Sequence, residues 1–209
     1  MKIAVIGAGK VGQALGETWH GKSHVVTYGV RDPADAKYAS LGAANLKTPG
    51  EAARSADVIV LATPWTTTEA ACKQLDGLSG KIVIDCTNPL GMGPDGLQLV
   101  VGFDSSGGEM VATWCAGASV FKTFNQTGFE NMKAAARMAP KATMFVAGDD
   151  QTKKPTVLQL VADIGFEAID AGPLTSARFL EPLAMLWISQ VMKGRMQPSR
   201  AFALTRAPA

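Results

Sequence analysis

At 209 residues the chain is long enough for one large domain, or for one domain with a small appendage. Hydrophobic residues make up 47% and charged residues 18%, a balance that suits a well-cored globular protein and excludes a disordered one. The formal net charge of +2 gives no reason to expect nucleic acid or an anionic membrane as partner.

After Met1-Lys2 the chain runs into Ile3-Ala4-Val5-Ile6-Gly7, an apolar run too short for a secretion signal, and 2–7 is the first strand candidate. Further strand candidates follow at 24–28, 57–63, 81–85, 119–123, 143–147 and 166–170, with a short one at 45–47. Several are near-continuous, as in Val58-Ile59-Val60-Leu61-Ala62, and such runs imply burial on both faces of a parallel sheet. Helical spacing fills the intervals at 11–19, 33–41, 67–75, 109–115, 128–136 and 152–163. The alternation predicts an α/β, doubly wound, mostly parallel sheet of Rossmann type over 1–172. The glycine- and proline-rich stretch 91–96 reads as a loop.

From Pro173 the pattern changes to a long helix in a C-terminal segment, 173–209. Leu174, Phe179, Leu180, Leu183, Leu186 and Trp187 fit one side of it. Its apolar content leaves two readings, a homodimer interface or a core helix of a monomer. The tract Pro182–Met192 is broken by Ser189 and Gln190 and falls short of the roughly 20 residues that span a bilayer. Cys72, Cys86 and Cys115 are odd in number and contain no CxxC pair, so free thiols in a reducing cytoplasm are expected. His20 and His24 lie near the second strand and read as surface-turn residues, leaving no thiol–imidazole pair.

The strongest chemical signal is Gly7-Ala8-Gly9-Lys10-Val11-Gly12, a GxGxxG between the first strand and first helix. Gly7 permits the tight turn, Gly9 leaves room for a pyrophosphate, and Gly12 lets helix and strand pack closely. The helix N-terminus then offers free N–H groups to the phosphates. The second strand runs on through Thr27-Tyr28-Gly29-Val30-Arg31-Asp32-Pro33 without an early carboxylate to hold a ribose 2′-hydroxyl. Arg31 can fork onto a 2′-phosphate, which favours NADP(H). Asp32 could serve NAD instead, but before Pro33 it reads as a helix N-cap. Thr63-Pro64 and Asn88-Pro89 end two more strands, where ligands of such folds lie. Trp65 either shields that site or packs on a helix. Lys122 reads either as an electrostatic helper beside the rings or, the simpler reading, as a solvated strand-end lysine.

The segments GAGKVG, YGVRDP, LATPW, DCTNPL, VFKTFNQTGFENM, GDDQTKKP and DAGPLTSARFLEP carry a resemblance that runs from Met1 to about Trp187, nearly the whole chain. Together they resemble the coenzyme F420-dependent NADP oxidoreductases, the related bacterial NADP-binding reductases and the cytosolic domain of the metalloreductases. The resemblance implies hydride exchange between NADPH and a small redox acceptor, either the deazaflavin coenzyme F420 or a flavin such as FMN or FAD. It places Val30 and Arg31 at the 2′-phosphate, and Thr63, Pro64, Asn88, Pro89, Asn125, Gln126 and Thr127 toward the two rings. Two departures are visible. Val30 stands where the family often has Ser, and Phe124 where a His can occur near the second cofactor. No catalytic triad, metal cluster or carboxylate pair is present, which suits direct ring-to-ring transfer by positioning. Two rivals remain: an NADP-dependent dehydrogenase of a small organic substrate, and a non-enzymatic NADP sensor or scaffold.

Overall fold

The computed structural model describes residues 1–207. Its centre is β1 (Lys2–Ile6), joined through α1 (Lys10–His20) to β2 (Val25–Gly29) and then to a short β3 (Leu46–Lys47). The chain returns through α2 (Pro49–Arg54) to β4 (Val58–Leu61), then through α3 (Trp65–Cys72) to β5 (Ile82–Asp85). A hairpin of β6 (Leu90–Gly93) and β7 (Gly96–Leu99) precedes α4 (Gly107–Trp114) and β8 (Ser119–Lys122). α5 (Phe129–Ala134), β9 (Thr143–Gly148), α6 (Lys154–Ile164), β10 (Glu167–Asp170) and α7 (Ala177–Met192) complete it.

Eight strands form one sheet in the order β10-β9-β8-β5-β4-β1-β2-β3. All neighbours are parallel except β8 and β9, which pair antiparallel. The fold is the expected α/β Rossmann type, mostly parallel. Alternate residues of each strand feed two cores. Ile3, Val5, Val58, Val60, Ile82 and Ile84 pack with Leu15, Trp19, Val157 and Leu160 of α1 and α6. Ala4, Ile6, Ile59, Leu61 and Val83 pack on the other face with Ala52, Ala53, Cys72, Val111 and Cys115. Such two-sided burial is why the strands read as unbroken apolar runs. All three cysteines are buried free thiols, as composition indicated.

Four expectations are corrected. The helix expected at 33–41 is only a 3-10 turn, Ala36–Leu41, entered through Asp35, whose carboxylate accepts from the Lys37 amide at 3.0 Å. The loop expected at 91–96 lies within the β6–β7 hairpin, whose bend is Pro94-Asp95, with Gly96 opening β7 at φ +104°. α2 had no counterpart in the expected elements. It is opened by Thr48, whose amide donates to Glu51 at 3.0 Å.

The fourth concerns α7, whose apolar residues divide between two faces. Leu174 in the preceding turn, Leu180 and Trp187 turn inward with Ala177 and Ala184. Phe179 and Leu186 are exposed. No helix among the described residues is long and apolar enough to cross a membrane.

Candidate dinucleotide site and the polar network beside it

The strand order 3-2-1-4-5 makes the chain leave β1 first to one side and later to the other. That switch opens a crevice beyond the carboxyl ends of β1 and β4, the place where open α/β sheets hold ligands. The Gly7–Gly12 turn lies at its floor. Gly7 has φ +101°, and a Cβ there would stand 2.6 Å from the Ala62 carbonyl oxygen. A Cβ on Gly12 would stand 2.0 Å from the Gly7 oxygen. Those two glycines are demanded by the fold itself. Gly9 differs, since its φ of −76° suits any residue and a Cβ there meets nothing within 4 Å.

Gly9 is also the N-cap of α1, and no side chain caps it, so the first-turn N–H groups face the space above Gly9 without a protein acceptor. Ala8 is buried, Val11 is half-buried and Lys10 is exposed, its Nζ 5.0 Å from the centroid of Phe129.

Beyond β2, Val30 is buried in the core and its amide donates to the Lys47 carbonyl at 2.9 Å. Arg31 is exposed and has no acidic partner among the described residues. Asp32 is not a helix cap: its Oδ1 accepts from the Ala34 amide at 3.0 Å and closes a local turn. Arg31 borders a cavity of about 160 Å³ lined also by Pro49, Thr63, Thr66, Thr67 and Gln74. Thr66, Thr67 and Gln74 were not singled out from sequence. Their signal was the hydroxyl-rich Thr66-Thr67-Thr68 opening a helix just after a strand end.

Pro64 is the N-cap of α3 and Trp65 its first residue. Thr63 Oγ1 lies 3.0 Å from Thr68 Oγ1, and Thr68 donates to the Pro64 carbonyl, so this corner is tied down. Trp65 is half-buried and rests on Trp114 with ring centroids 5.4 Å apart, which favours the packing reading of the two.

Asn88 and Asn125 meet beyond the ends of β5 and β8, with Pro89 next to the first and Thr127 two residues past the second. Asn88 Nδ2 donates to the Asn125 carbonyl at 2.9 Å, and Asn125 Nδ2 donates back to Asn88 Oδ1 at 3.1 Å. Asn125 also donates to the Leu180 carbonyl of α7 at 3.2 Å. Gln126 exchanges two bonds with the backbone of Phe145, and Thr127 accepts from Asn131 at 2.7 Å. Asn125 and Thr127 are thus buried and engaged, while Asn88 keeps partial exposure. Phe124 is a core residue, set edge-on to Trp19 at 5.6 Å.

Lys122 is not solvated; its side chain is fully buried. Its Nζ donates to Asp85 Oδ2 at 2.8 Å and to the Thr87 carbonyl at 2.7 Å, and pairs with Glu181 Oε1 at 2.8 Å. Burial disfavours its charge, but the Asp85 and Glu181 carboxylates outweigh that and hold its pKa above the usual lysine value. Glu181 in turn accepts from the amides of Gly107 and Gly108, each at 3.0 Å, at the N-terminus of α4. Nearby, the hydroxyls of Thr87 and Thr123 are buried without a partner. A metal centre is not built: among the described residues no three His, Cys, Asp or Glu side chains gather to hold an ion.

Comparison with known proteins agrees with this geometry. The family model described as NADP oxidoreductase, coenzyme F420-dependent, matches residues 2–89. The chain is 30% identical over 147 residues to an F420-dependent NADP reductase of Methanocaldococcus jannaschii, covering 68% of this chain and 66% of that one. It is 28% identical over 187 residues to the metalloreductase STEAP3 of Rattus norvegicus, covering 88% of this chain but only 37% of the rat protein. A crystal structure of a candidate F420-dependent NADP reductase from Arthrobacter sp. FB24 superposes with a TM-score of 0.86 at 29% identity, over 99% of this chain and 100% of that one.

Proposed function

This chain belongs to the coenzyme F420-dependent NADP oxidoreductase family, and we propose that it passes a hydride between NADP(H) and a deazaflavin or flavin acceptor. The observation that carries the reading is Gly9, a glycine that neither backbone conformation nor internal packing requires. The empty space over it, lined by free helix N–H groups, fits a diphosphate. Arg31, unpaired beside the hydroxyl-lined cavity, fits the 2′-phosphate and adenosine end. Buried Val30 offers no hydroxyl there, so selectivity for the extra phosphate falls mainly on Arg31.

NADPH, when bound, supplies the hydride from its dihydronicotinamide ring. The chain's task is placement. Gly7, Ala8, Gly9, Lys10, Val11 and Gly12 shape the phosphate turn, while Thr63, Pro64 and Trp65 border the crevice from β4. Asn88, Pro89, Asn125 and Thr127 form the polar rim where the two rings would meet. Because Asn125 is held by Asn88 and Leu180, its contribution is to fix Asn88, whose amide keeps partial exposure. Holding two rings in van der Waals contact in a dry pocket is worth more here than any side-chain acid.

In this reading 1–172 is the NADP-binding domain, and the helical segment that begins at 173 packs on it and offers its outer face to a second copy. The support for a homodimer is the apolar surface of Phe103, Phe179 and Leu186, beside a cavity of about 760 Å³ lined by Leu99, Val100, Arg178 and Pro182. Three free, buried cysteines suit a reducing cytoplasm. The test is direct: titrate with NADPH and NADH, then add coenzyme F420, FMN or FAD and follow loss of nicotinamide absorbance. NADPH-selective binding with turnover of one acceptor supports the proposal. Binding without turnover of any acceptor would leave the sensor in its place.

A further inference from the structure

In the reading above the 87–89 turn is one wall of the ring site, and α7 is the wall of protein tied across from it. The polar contacts of Lys122 run between these walls. Its Nζ reaches the end of β5 through Asp85, the turn itself through the Thr87 carbonyl, and α7 through Glu181. Asp85 also accepts from the Thr87 amide at 2.8 Å, so both backbone polar groups of Thr87 are taken by the cluster. One residue before Glu181 on α7, the Leu180 carbonyl receives Asn125, which holds Asn88.

Two carboxylates and one ammonium in a space closed to water are a costly way to hold a helix that already has an apolar face. An apolar contact of equal volume would serve stability as well or better. What such a cluster supplies is one fixed geometry, because hydrogen bonds at 2.7–2.8 Å admit little sliding where apolar contacts admit more. Glu181 extends the tie to α4 through the Gly107 and Gly108 amides.

We propose that Lys122, Asp85 and Glu181 form a positioning latch that sets the distance between the Thr87-Asn88-Pro89 turn and α7, and so the alignment of the donor and acceptor rings. The inference rests on the function proposed above. The latch touches neither ring; it acts through Thr87 and Asn88.

The test uses the full-length protein with Glu181→Gln, which leaves Lys122 neutralised by Asp85 and the helix face filled. Asp85→Asn, which loosens the same cluster from the β5 side and leaves Lys122 neutralised by Glu181, serves as an independent variant should the first not fold. Each folded variant is measured for NADPH affinity, for fluorescence lifetime of the bound dihydronicotinamide, and for single-turnover hydride transfer to coenzyme F420 or FMN. The latch predicts NADPH affinity within about twofold of wild type, since the phosphate turn is remote from it. It predicts a changed lifetime and a transfer rate lower by about tenfold or more, because misplacement by about 1 Å can cost on the order of 10²-fold.

Unchanged lifetime and rate in a folded variant would overturn the latch. So would affinity and rate falling together, which marks general loss of structure. If the wild type binds no NADPH, the functional proposal fails and the latch falls with it. If NADPH binds but neither acceptor turns over, only the acceptor assignment fails, and the lifetime still decides.

Discussion

Replacing Gly9 and Gly12 separately by alanine divides what the fold needs from what the ligand needs. For Gly12→Ala the new methyl would start 2.0 Å from the Gly7 carbonyl oxygen and 3.1 Å from Val5 Cγ1. The first contact is to backbone, so α1 must move away from β1. Overpacking of this kind costs about 1–3 kcal/mol or more, and each kcal/mol lowers Tm by roughly 2–4 °C in a chain of this size. A fall of about 2–12 °C is expected.

For Gly9→Ala the methyl meets nothing and the backbone needs no left-handed angle. Reduced freedom of the unfolded chain favours alanine by about 0.4–1 kcal/mol, and a poorer N-cap opposes it by a similar amount. Tm should stay within roughly 2–4 °C of wild type. NADPH affinity should nevertheless fall by at least about tenfold, or about 1.4 kcal/mol, because the methyl fills the phosphate approach. Thermal melts and nicotinamide-fluorescence titrations read the two effects separately. Wild-type affinity in Gly9→Ala would refute the assignment of the diphosphate to this turn.

Arg31→Ala should weaken NADPH by about 10- to 100-fold, the worth of charge-assisted hydrogen bonds of about 1.5–3 kcal/mol. NADH should change by less than about twofold, and equal losses would remove the 2′-phosphate contact. Burial, reinforced by the Glu17 carboxylate, pushes the Tyr28 phenol up to about 12. A phenol that ionises near 10 when unfolded therefore favours the fold in its neutral form, and stability declines as pH rises from about 10 to 12. Melts at pH 9 and pH 11 should show that decline, and Tyr28→Phe should reduce it. Phe179→Glu or Leu186→Glu should yield monomers in sedimentation with an unchanged circular dichroism spectrum; an unaltered dimer would place the interface elsewhere.

The sheet was legible because strands buried on both faces must be apolar at successive positions, as Val58–Ala62 are, and because a glycine-lined turn sits between the first strand and helix. The dinucleotide crevice follows from those two facts. Other features were hidden for physical reasons. Glycine and proline at 91–96 signal chain reversal equally well in a loop and in a hairpin, and only the cross-strand bonds tell them apart. The environment of Lys122 depends on Asp85 and Glu181, 37 and 59 positions away, and no local pattern carries it. A hint existed in Glu181 itself, a carboxylate inside an apolar helix, since such a group is rarely buried unless paired. The two faces of α7 were merged because Leu180 and Phe179 are neighbours in sequence yet point apart on a helix.

The three buried sulfhydryls offer an internal clock for opening of the molecule. Cys72 ends α3 and Cys115 caps α4 in one core layer, and Cys86 sits just past the end of β5 in the other. An alkylating reagent can reach any of them only when the surrounding structure parts, so modification rates count excursions from the native state. Mass spectrometry of each site with and without dinucleotide would then map which layer the ligand holds shut, without any label being engineered.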